Sequence, residues 1–156
     1  MGMSDKAADK MKALAQSHVD EPVISAGIFL RKGETASRNL TGFARGASFA
    51  KLAQSVDRAP EFPSQTLLAV TDSQLHAFVA KGGFSWKVKE PLASWPWGTF
   101  LAEREDGKIC TFLHLAFGPD ALAELETQSS GAQSFQAAVV DDIVARADRA
   151  AVLDDR

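Results

Sequence analysis

Apolar and polar residues follow two rhythms along this chain, and the switch between them predicts its elements. In SDKAADKMKALAQSHV (4–19), Met11, Leu14 and His18 fall on one stripe at helical spacing, with Ser4 placed to cap and acids early. That pattern predicts a short amphipathic helix. EPVISAGIFLRK (21–32) carries β-branched and apolar residues at both parities, which fits a strand covered on both faces. The signal then weakens. GETASRNLTG (33–42) reads as loop, FARGASFAKLAQSV (43–56) as a helix candidate and DRAPEFPS (57–64) as loop again.

From residue 65 the period becomes two. QTLLAVTDSQLHAFVAK (65–81) is a pair of apolar runs around Asp72 and Ser73, the chemistry of a hairpin turn. In GGFSWKVKEP (82–91), Phe84, Trp86 and Val88 point one way while Ser85, Lys87 and Lys89 point the other. GTFLAEREDGKICTFLHLAF (98–117) predicts a second hairpin turning at EDGK. GPDALAELETQ (118–128) reads as a helix, with Pro119 at its first position and Asp120 in its first turn. SFQAAVVDDIVARADRAA (134–151) reads as another, capped by Ser134, with Phe135, Val139 and Ile143 beside Val140, Val144 and Ala147 on its apolar face.

The expected fold is therefore α+β: a curved antiparallel sheet or open barrel with an N-terminal helix and C-terminal helices. The expected divisions are an N-terminal helix over 1–20, a sheet domain over 21–128 with a poorly defined insertion at 31–64, and a C-terminal helix and tail over 129–156.

A length of 156 residues fits one domain with a core of its own. Tyrosine is absent while phenylalanine occurs ten times, which turns the aromatics inward. One cysteine, Cys110, forms no intrachain disulfide. The opening residues lack the pattern of a secretory signal, and the longest apolar run, VISAGIFL, is far short of the roughly twenty residues needed to span a bilayer. The expectation is a soluble, cytoplasmic protein without a transmembrane segment. Net charge is −3, unevenly spread. Arg31, Lys32, Arg38, Arg45, Lys51 and Arg58 face only Glu34 and Asp57 in the segment 31–58, whereas eight acids face three arginines in 119–156.

Several stretches resemble bacterial pleckstrin-homology-like, or GRAM-like, domains. LLAVTDSQLHAF (67–78) is similar to their "apolar strand, Thr-Asp turn, apolar strand" hairpin. FSWKVKEPLASW (84–95) stands where a basic strand and an apolar-Ser segment follow, and EREDGKICTFLHL (103–115) resembles the later hairpin. GPDALAELE (118–126) resembles the helix after the sheet. EPVISAGIFL (21–30) resembles the opening strand, set after an N-terminal helix as in actinobacterial proteins of similar layout. The likeness covers about residues 20–126, and residues 31–64 depart from it. It implies self-association, protein binding or membrane association.

Phosphoinositide-binding relatives use basic residues between the first strands, which makes Arg31, Lys32 and Arg38 candidate lipid contacts. Three dispersed cations on a chain of pI about 5.6 make a weak anchor, since each contributes only about 1 kcal/mol at an anionic surface. Cys110 and His114, four residues apart on one strand, lie about 13 Å apart and cannot act as nucleophile and base. His76 meets His114 only if their strands are neighbours, and no nearby acid completes a ligand set. His18 belongs to the helical stripe and reads as a packing residue. Motifs of hydrolases, phosphate-binding loops, dinucleotide folds and zinc proteases are absent, and Asp141 and Asp142 diverge around a helix. The acidic balance also disfavours nucleic acid. No catalytic residue, cofactor or metal is expected.

In SWPWG (94–98), Pro96 cannot donate to a ladder, so the stretch is a strand end, an edge or a connection. Trp95 and Trp97 read first as a lid on the core and second as a partner or ligand contact. The function expected is a non-enzymatic binding or scaffolding module, working through a protein partner or a homo-oligomer. A lipid or small-ligand-binding domain is the alternative, and an enzyme the third reading.

Overall fold

The computed structural model describes residues 3–31, 60–82, 86–108, 110–118, 121–128 and 134–154. Lys32, Arg38 and the helix candidate at 43–56 lie outside the described residues. The chain runs α1 (Met3–Gln16), β1 (Ser25–Arg31), β2 (Gln65–Val70), β3 (Gln74–Lys81), β4 (Lys87–Pro96), β5 (Leu101–Asp106), β6 (Cys110–Ala116), β7 (Leu122–Gln128) and α2 (Phe135–Asp154). The strands form one antiparallel sheet in the order β4-β3-β2-β1-β7-β6-β5. Two meanders, β1 to β4 and β5 to β7, thus meet at the β1–β7 pair. The α+β class and the antiparallel sheet between an N-terminal and a C-terminal helix agree with the sequence pattern. No described helix is long and apolar enough to cross a membrane.

One expectation is overturned. Residues 122–128 are not a helix but the strand β7, paired along its length with β6 from Ala116↔Leu122 to Cys110↔Gln128. Among the described residues one helix, α2, follows the sheet rather than two. Ala-Leu-Ala-Glu-Leu-Glu has high helix propensity, but propensity is a weak prior that tertiary pairing overrides. The same residues also carry a period of two: Ala121, Leu125 and Thr127 are buried at alternate positions. Phe117 N donates to Ala121 O at 2.9 Å, which brings Ala121 back beside the end of β6 and starts the pairing with β7.

The two faces of the sheet are covered separately. On one, Met11, Ala15, Val19 and Val23 from α1 and its connection pack on Ala26, Ile28, Leu67, Ala69 and Phe78. On the other, Val139, Val140, Ile143 and Ala147 of α2 pack on Phe29, Leu68, Leu75, Leu113, Leu115 and Leu125. β1 is buried on both sides because Ile28 and Phe29 serve opposite clusters, as the unbroken apolar run predicts.

β1 and β7 share only the pairs Leu30↔Glu126 and Arg31↔Leu125. Continued in register, Ile28 would face Gln128. Instead Gln136, at the start of α2, enters between them. Its Oε1 accepts from Ile28 N at 2.6 Å and its Nε2 donates to Gln128 O at 2.9 Å. The primary amide takes the place of a peptide group. Thr127 Oγ1 donates to Ile28 O at 2.6 Å and completes the join. Gly27 permits this approach: a Cβ there would lie 3.2 Å from Gln136 Oε1 and 3.5 Å from a Val139 methyl.

Gln136→Leu puts an apolar side chain of similar size in place of the amide and strands the Ile28 N–H and the Gln128 carbonyl. A buried unsatisfied group costs about 1–3 kcal/mol, so the stranded Ile28 N–H, with a smaller cost at the part-buried Gln128 carbonyl, should lower the unfolding free energy by about 2 kcal/mol. Urea denaturation, with an unchanged slope, is the check.

Candidate functional site

Trp95 and Trp97 come together at one end of the space between the sheet and α2. Trp95 pairs with Leu75 across β3 and β4 and faces the α2 side. Two register shifts, between Ala77 and Phe78 and between Val79 and Ala80, each skip one residue of β4, so the second restores the parity that the first reverses. Val88 and Trp86, an odd number of residues from Trp95, pack on the α1 side, whereas Trp95 packs on the other. The rings run in a chain: Phe62 to Trp95 at 5.8 Å, Trp95 to Phe117 at 5.2 Å, Phe117 to Phe100 at 5.6 Å and Phe100 to Trp97 at 5.5 Å. These separations suit tilted aromatic packing.

The connection after β4 is tightly held. Trp97 Nε1 donates to Thr71 O at 2.9 Å, and Thr99 Oγ1 donates to Pro96 O at 2.7 Å. Gly98 turns the chain at φ 98°, a conformation that favours glycine. Both tryptophans are half-buried and cover the aromatic cluster, as a lid does. Arg31 is exposed at the end of β1, with its N–H donating to Ser64 O at 3.3 Å.

The histidines do not meet. β3 and β6 are separated by β2, β1 and β7 in the sheet, and each histidine has acids of its own. His76 lies opposite Ser94 across β3 and β4. Its Nδ1 is 2.9 Å from Ser94 Oγ and its Nε2 is 3.3 Å from Glu21 Oε1. The network assigns the tautomer: Nε2–H donates to the carboxylate and Nδ1 accepts from the hydroxyl. Hydroxyl, imidazole and carboxylate in that order are the parts of a serine nucleophile's activation. Here, however, Glu21 Oε1 also accepts from Thr71 Oγ1 and from Ser73 Oγ, the latter at 2.7 Å. The carboxylate thereby ties the α1–β1 connection to the β2–β3 turn, a fastening role. His18, although exposed, lies 5.8 Å ring to ring from Phe78, against which His76 also stacks at 6.4 Å.

His114 sits in the middle strand of the second meander. Glu103 and Glu124 are its cross-strand partners on β5 and β7, and Glu105 is one alternate position further along β5. His114 Nε2 lies 2.8 Å from Glu105 Oε1, and Nδ1 lies 3.6 Å from Glu124 Oε1. The imidazole is 2% exposed, the Glu124 side chain 5% and the Glu105 side chain 38%. One ligand atom from each of the three lies within 4.8 Å of the others. Among the described residues this is where a metal-ligating set converges. Sequence reasoning missed Glu124 because it placed that residue on a helix. The shared parity of Glu105, His114 and Glu124 on three successive strands was the signal available.

The chain matches no family model, no curated protein and no solved structure.

Hydrogen bonds from Ser73 and Thr71 hold the Glu21 carboxyl below the ordinary value of 4.5, against an opposing effect of burial. A carboxyl depressed in the folded state adds stability that is present above its unfolded value and is lost as pH falls through the folded value. Glu21→Gln should therefore be less stable than the parent at neutral pH, and the gap should narrow on acidification below 4.5. Thermal midpoints of the two proteins across that range test the sign.

Proposed function

We propose that this protein is a non-enzymatic binding module on a pleckstrin-homology-like sheet, whose contact surface is the outer strand β4. Its partner is an extended protein segment, a second copy of the chain included. The observation that carries this reading is the contrast between the two ends of the sheet. β5 lies against α2, with Arg104 Nη1 bonded to Asp141 Oδ1 at 2.6 Å and Arg104 Nε to Asp106 Oδ1 at 2.7 Å. β4 is the longest strand, and among the described residues no strand pairs with its outer side. Lys87, Lys89, Glu90, Pro91, Ser94 and Pro96 along it are exposed.

An open strand edge offers main-chain groups to an added strand, and side chains at alternate positions select it. Proline lacks the N–H such a ladder needs, so Pro91 and Pro96 bound the usable run between them, Leu92 to Trp95. Lysines and bulges further blunt the remainder. So short an edge favours weak, reversible contact over a permanent assembly. The lid packing of Trp95 supports this indirectly, because it stiffens the strand that receives the partner.

In the self-associating form, native mass measurements on concentrated protein should give a species above 16.7 kDa that falls to the monomer on dilution. Leu92→Lys, which sets a charge against its own copy on the usable run, should stay monomeric throughout with an unchanged far-ultraviolet spectrum. A parent chain that is monomeric at every concentration removes the second copy as partner.

A further inference from the structure

We propose that Glu105, His114 and Glu124 form a site for a divalent transition cation, with His114 Nδ1 and a Glu124 oxygen as ligands and Glu105 as the positioning residue. Three adjacent strands supply the set, so its geometry is fixed by the sheet ladder rather than by loops. His114 Nδ1 is buried and has no hydrogen-bond partner among the described residues. It faces Glu124 Oε1 at 3.6 Å, beyond hydrogen-bonding reach. Two ligands on a tetrahedral zinc ion, each about 2.0–2.1 Å from the metal, stand about 3.4 Å apart. The observed gap is close to that span.

The other side of the ring fits the same assignment. Nε2 lies 2.8 Å from Glu105, the arrangement in which Nε2–H donates to a carboxylate and Nδ1 keeps a bare lone pair directed at the metal. One imidazole with carboxylate oxygen selects zinc-like transition cations over magnesium or calcium, which prefer all-oxygen sets.

The test is a calorimetric titration of the metal-free protein with zinc chloride at neutral pH, repeated with magnesium. One saturable zinc site per chain, with no saturable magnesium binding, is expected. Glu124→Gln, isosteric with the parent, should abolish it, and His114→Gln likewise. Glu105→Gln should weaken it by about 10–100-fold, the cost of losing an outer partner, without abolishing it. His76→Gln, which removes an imidazole elsewhere, should bind as the parent does. Should the buried variants fail to fold, nitrogen chemical shifts of the parent's three histidines decide: zinc must move His114 and spare His18 and His76. Absence of saturable zinc binding, retention of it in Glu124→Gln, equal binding of magnesium, or shifts confined to His18 and His76 would each overturn the assignment.

Discussion

The side-chain amide of Gln136 joins the two halves of the sheet. Where β1 and β7 stop pairing, their facing main-chain groups are bridged by a side chain instead of bonding to each other, the Ile28 N–H buried and the Gln128 carbonyl part-buried. Gln136 accepts from one and donates to the other, so the break in the ladder leaves neither group unsatisfied. The same bonds fix where α2 begins, and thus which of its residues meet the sheet. Phe135, the adjacent residue, packs against both core clusters at once. Gln16 acts in a similar way at the end of α1: its amide donates to Val19 O and Glu21 O and accepts from Val23 N. Two glutamines, each standing in for a peptide group, set the entry into the sheet and the exit from it.

The rest of the fold follows from that join. With α2 seated at the seam, its apolar stripe closes one face of the sheet while α1 closes the other. The end of the α2 side is then sealed by aromatic rings drawn from four parts of the chain. Trp95 comes from β4, Trp97 and Phe100 from the next connection, Phe117 from the β6–β7 turn and Phe62 from the segment before β2. Proline and glycine flank Trp97 for geometric reasons: Pro96 ends the ladder and Gly98 takes the positive φ that turns the chain toward β5.

The chemistry lies in two imidazoles set in different surroundings. His76 joins Ser94 to Glu21, and Glu21 is further saturated by two hydroxyls; these bonds fasten the turn to the α1–β1 connection. His114 instead lies beneath the surface between carboxylates on either neighbouring strand, with one ring nitrogen lacking a hydrogen bond among the described residues. Burying such groups is costly unless charge and hydrogen bonding are completed together. That requirement separates a site able to take a cation from one that serves as a clasp.

Much of the architecture was legible in the residues alone. Periodicity located α1, α2 and the hairpins at 65–81 and 98–117, because alternation and helical spacing are local properties of the chain. The doubled parity of 23–30 announced a strand buried on both faces, and Pro96 announced the end of one. Residues 122–128 were misread because Ala, Leu and Glu favour a helix locally, whereas the Phe117–Ala121 main-chain bond and the open side of β6 make a strand the better partner. That error also hid Glu124 from His114. Glu21 and Ser94 were likewise invisible as partners of His76, since sequence separations of 55 and 18 residues carry no local signal. The sequence by itself determined which segments are amphipathic and where the chain turns, through short-range sterics and side-chain spacing. Only the tertiary structure decided which strand lies beside which, and hence which acids meet each histidine, because strand order depends on long-range packing and on the single amide that holds the seam.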